Sequence, residues 1–168
     1  LFLPALAAQI AVPIIRQRNR NLPLLGVLGA LALCNIVFHV AAAKGRHDLA
    51  SGALLATIDI VLLLVTIIGG RIVPAFTANA LRAAGNAVPM AVWRGVTPLA
   101  IASMIAVLAS DLLAPGSRLA GVVAFVAGIA QALRLAQWQG WRTARLPIVW
   151  VLHVGYLAAP DFFGVPSV

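Results

Sequence analysis

The chain has 168 residues, 62% of them hydrophobic and only 10% charged, with a mean hydropathy of +1.03. That leaves too little polar surface to cover a soluble globular domain, which points to a membrane protein. The net charge of +8 comes from twelve Lys and Arg against four Asp. The basic residues fall in short breaks between apolar runs, so they read as topological determinants and not as a nucleic-acid surface. One cysteine, Cys34, excludes an intrachain disulfide, a CxxC metal knuckle and a CxxCH haem attachment.

The apolar runs approach the ~20 residues that a helix needs to cross the hydrocarbon layer, and they lack the alternation of transmembrane strands. The expected fold is therefore all-α, a single transmembrane domain of about six spans. The chain starts at Leu1 inside an apolar run and stops soon after another, as a piece of a longer protein would. The first run has neither a basic flank before it nor a small-residue cleavage site, so it does not read as a signal peptide.

In chain order, residues 1–15, with Pro4 and Pro13, are expected to be the end of a first span or a short kinked one, and RQRNRN follows at 16–21. The second span covers 22–43, where Gly26 and Gly29 offer a small-residue face for close helix approach. The third covers 49–68. It ends at GGRIVPAFTANAL, residues 69–81, within a motif and loop that extend to residue 93. There Gly69 and Gly70 are expected to stop the helix, and Pro74 to prevent its continuation. Thr77 would cap a short surface helix closed by Gly85. Free N–H groups over 74–79, with Arg71 and Arg82, would then suit an anion. The fourth span covers 96–113 and closes on the turn APGS. The fifth covers 119–138 and the last 147–160.

Lys and Arg number three, two, three, one, three and none in successive loops. This alternation puts the Arg-rich loops 16–21, 71–94 and 134–145 in the cytoplasm. Trp93, Trp138, Trp141 and Trp150 all lie beside those loops, as interfacial belts do. Gln131, Arg134, Gln137 and Trp138 form a polar face at the end of the fifth span, expected to snorkel to the interface.

A few polar residues sit at membrane depth. Asp59 falls mid-span, where a carboxylate costs roughly 2.5–3.5 kcal/mol on insertion scales. Asn35 and His39, spaced i, i+4, share a face of the second span, so an Asp–His–Asn cluster is feasible. His153 has Trp150 and Tyr156 at i−3 and i+3, and its imidazole either satisfies a structural hydrogen bond or ligates iron or copper. HExxH, GxSxG, Walker A and Gly-rich dinucleotide motifs are absent, so whether the chain is an enzyme stays open at this point.

GGRIVPAFTANAL, together with RLAQWQGWRTARLPIVWVLHVGYLAAP at 134–160, resembles the NnrS family of bacterial inner-membrane proteins. Arg71, Pro74, Phe76, Thr77 and Asn79 match the family's first block, and His153, Gly155 and Tyr156 its histidine block. The resemblance implies a polytopic protein with haem b and copper that acts in the nitric oxide response under denitrifying or nitrosative conditions. With that resemblance the leading reading has His153 ligate the iron and Arg71 pair with a haem propionate, with Tyr156 and Asn79 as further cofactor contacts; His39, an intramembrane histidine too far outward for the same ring, is a second metal-ligand candidate. Nitric oxide would be the small-molecule partner and the lipid bilayer the medium. A transporter or channel built on Asp59 and Asn35 is the alternative reading, and a structural subunit is a third.

Overall fold

In a computed structural model the described residues are 22–85, 93–143 and 147–158, and they are helical throughout apart from short turns. The helices are α1 (Leu22–Ala43), α2 (His47–Ala83), α3 (Val96–Leu113), α4 (Arg118–Gln137) and α5 (Pro147–Ala158). A 3₁₀ turn, Gly140–Thr143, precedes α5. Four helices among the described residues are long and apolar enough to cross a membrane, α1 to α4. The expectation of about six spans is thus slightly too high for this part of the chain. The first expected span lies outside the described residues. The last is a 12-residue helix, about 18 Å long at ~1.5 Å per residue and short of a ~30 Å crossing.

The larger correction concerns residues 69–83. Instead of stopping at Gly69-Gly70, α2 continues through both glycines and through Pro74 for 37 residues, about 55 Å. Pro74 brings no N–H, so the carbonyl of Gly70 loses its in-helix donor, yet neighbouring groups can make such a break tolerable within a membrane bundle. Thr77 is therefore no cap: its hydroxyl donates to the Val73 carbonyl, 2.8 Å away and one turn back. Gly85 does close the helix, in the left-handed region at φ +76°, where a residue without Cβ is favoured.

By compactness the chain divides into two units, Leu1–Leu64 and Val65–Val168. In the first, α1 exposes Leu33, Ile36, Val37 and Val40, as expected of a lipid-facing helix. Gly26 and Gly29 face open space, so the small-residue face meets no neighbour among the described residues.

In the second unit, α3 and α4 form an antiparallel hairpin. Their connection is the expected turn: Gly116 has φ +69°, and the Ser117 side chain caps α4 by accepting from the Ala120 N–H at 3.1 Å. Ala100, Met104 and Val107 on α3 are buried, as are Ala120, Ala127 and Ala130 on α4. Each set repeats at three, four or seven residues and so forms one helix face. Alanines let the backbones approach closely, the usual solution where lipid supplies no hydrophobic drive between helices. A smaller apolar cluster, Val73, Trp138 and Tyr156, packs against Leu135 and Leu152.

Candidate functional site

The polar residues of the second unit converge at the end of this hairpin. α4 carries Gln131 and Arg134 on its inward face, one turn apart. α2 brings Thr66, Gly69 and Gly70, and α5 brings Tyr156. Arg134 is 2% exposed, Gln131 3% and Tyr156 6%. The snorkelling expected of Arg134 and Gln131 is thereby overturned: both point into protein, because packed helices supply the partners that interfacial water would otherwise give.

The hydrogen bonds form a closed network. Arg134 Nη1 donates to the Thr66 carbonyl at 2.8 Å and to the Tyr156 hydroxyl at 3.3 Å. The Tyr156 hydroxyl in turn donates to Gln131 Oε1. Gln131 Nε2 donates at 3.3 Å to Thr66 Oγ1 and at 3.3 Å to the Ala100 carbonyl. Trp138 covers the ensemble: the guanidinium carbon lies 5.5 Å from its ring centroid, and its ring meets Tyr156 edge-on at 4.8 Å. Trp138 is 4% exposed, so it belongs to the interior and not to an interfacial belt. Trp93, Trp141 and Trp150 are exposed.

Glycines make room for these side chains. A Cβ at Gly70 would collide with the Arg134 guanidinium, one at Gly69 would press on the Tyr156 ring, and one at Gly140 would enter the His153 ring. The double glycine that reads as a helix stop therefore serves as the floor of a polar socket.

His153 is buried on the same face of α5 as Val149 and Tyr156. Its Nδ1 lies 2.9 Å from the Val149 carbonyl. A carbonyl only accepts, so Nδ1 carries the proton and Nε2 the lone pair. Nε2 is 3.5 Å from Thr77 Oγ1, whose proton is already committed to Val73, so that contact is long and weak.

The remaining sequence candidates lie elsewhere. Arg71 and Asn79 are exposed on α2, and Asn79 Oδ1 accepts from Arg82 at 3.4 Å. Residues 75–79 are helix interior, so their N–H groups are not the free donors expected for an anion. His39 is exposed on α1 and meets Phe38 edge-on, with ring centroids 5.4 Å apart. Asn35 is half-buried and Asp59 is 5% exposed. These three belong to the unit of residues 1–64, and His153 to the other. Thr66 carries no signal in the sequence, and Gln131 and Arg134 read there only as part of a face expected to snorkel. An i, i+3 Gln–Arg pair near a span end was the available signal for the Gln131–Arg134 face, and it fits an exposed face equally well.

As a metal ligand, His153 has suitable donor chemistry: a proton held on Nδ1 by a carbonyl and a lone pair on Nε2 are the arrangement of ligating imidazoles. Iron bound there would replace the Thr77 contact. No group of three His, Cys, Asp or Glu is gathered among the described residues. The curated proteins and the solved structures give no match to the chain. A family model described as NnrS protein matches residues 1–165. With its multi-pass helical architecture and both motif blocks inside that match, the chain belongs to the NnrS protein family.

Proposed function

We propose that this membrane protein binds a b-type haem and acts in the bacterial nitric oxide response, in the inner membrane, with its Arg-rich loops in the cytoplasm. The observation that supports this reading is the tautomer of His153, which leaves its buried Nε2 free of a strong donor. His153 would hold the iron, and haem binding would displace the Thr77 and Gly140 contacts that now lie against its ring. Bound haem iron would supply an open position for nitric oxide or a related small ligand. Purified protein should show a Soret band that His153→Gly loses and that added imidazole restores. A band of unchanged position and intensity in His153→Gly would remove the assignment.

The burial of Asp59 supports a second reading, a proton- or ion-coupled transporter, since a carboxylate at membrane depth marks substrate paths as well as structural contacts. Uptake into proteoliposomes that is lost in Asp59→Asn would favour it, and uptake at the wild-type rate would count against it.

A further inference from the structure

The least explained feature of the second unit is the charge of Arg134. Guanidinium does not lose its proton in proteins, so a side chain 2% exposed remains a buried cation. Removing such an ion from water carries a large penalty unless an opposite charge or a full set of acceptors offsets it. Its hydrogen-bond acceptors are neutral: the Thr66 carbonyl and the Tyr156 hydroxyl, both on Nη1. The Trp138 face adds a weaker attraction. The four acidic residues of the chain are Asp48, Asp59, Asp111 and Asp161, and none lies on residues 65–83, 131–138 or 149–156, the segments that build the socket. Nε is fully buried and has no hydrogen-bond partner among the described residues, and Gln137 Oε1, one turn further along α4, is in the same state.

The neutral contacts thus gather at Nη1, leaving Nε without one. Gly70 is the only kind of residue that admits the guanidinium at this depth, so the position is built and not incidental. A planar guanidinium recognises planar oxyanions by its N–H fork. We propose that Arg134 is the recognition residue of an intramembrane site for a small monovalent oxyanion of the carboxylate type, bound at the Nε edge. The anion neutralises the buried charge and satisfies the remaining donor. Gln137 contributes a second donor by turning its amide, whose oxygen and nitrogen are interchangeable by rotation. This inference does not depend on haem binding, and its test reads no chromophore.

The test is a titration of the purified protein in neutral detergent with formate, at ionic strength held constant by a bulky sulfonate, followed by thermal unfolding. The expected result is a saturable rise in unfolding temperature, as for any ligand that binds only the folded state. It should vanish in Arg134→Gln and persist in Arg118→Gln, which alters an exposed arginine on the same helix. Arg134→Lys keeps the charge but loses the fork, so formate should bind about tenfold or more weakly. A wild-type protein with no saturable response overturns the proposal whether or not the variants fold. So does a formate affinity equal to wild type in Arg134→Gln or Arg134→Lys. A response to phosphatidylglycerol in mixed micelles but not to formate would assign the site to a lipid headgroup and overturn the small-anion reading.

Discussion

At the scale of single residues, the decisive ones are glycines whose missing Cβ is used by a neighbour. Gly140 lies against the His153 ring with no space for a methyl group, whereas Gly128, in the middle of α4, faces open space. The two should therefore respond to alanine with opposite signs. Gly140→Ala should destabilise by about 1–3 kcal/mol through overpacking against a ring fixed by its bond to Val149. Gly128→Ala should be neutral or stabilise by up to about 1 kcal/mol, as helix propensity favours alanine. Thermal unfolding in detergent, followed by helical circular dichroism, would compare them. Equal losses would mean that the His153 ring moves freely, and would weaken any role that requires it to be held.

At the scale of elements, α2 and the α3–α4 hairpin show two uses of the same helix-terminating residues. Gly116 and Ser117 end one helix and start the next, because the chain there adopts left-handed and extended backbone and Ser117 finds the Ala120 N–H. Ser117→Ala should lower stability by about 1 kcal/mol, and Ser117→Asp should retain most of it. A Ser117→Ala variant that unfolds at the wild-type temperature would show that the hairpin does not rely on the cap. Gly69, Gly70 and Pro74, by contrast, sit within an unbroken helix. Their local preference for termination is outweighed because in lipid the backbone must stay hydrogen-bonded and a neighbouring helix packs on the site. Pro74 leaves the Gly70 carbonyl without its helical donor in the turn on which the Arg134 guanidinium rests.

At the scale of the whole molecule, the alternation of more and less basic loops predicts which ends of the helices share a side of the membrane. With Cys34 replaced by alanine, cysteine introduced at Ala84 should react with a membrane-impermeant maleimide only after the cytoplasmic face is opened. Cysteine introduced at Pro115 should react in intact cells. The reverse pattern would invert the orientation and put the Arg134 socket at the outer end of the hairpin.

Hydropathy and charge were enough to read an all-helical membrane protein and the hairpin turn, since these depend on local composition and on the cost of unpaired backbone in lipid. The two motif blocks were enough to read the family. Beyond reach of the sequence was the direction in which a polar side chain points. Arg71 and Arg134 are the same residue type, each near the end of an apolar run; one is exposed and the other is enclosed by Thr66, Gly70, Trp138 and Tyr156. Those four are separated by up to 90 positions, so only tertiary packing could join them. Burial is a property of what surrounds a residue, and it turned an expected interfacial anchor into a buried cation and a helix stop into the floor beneath it.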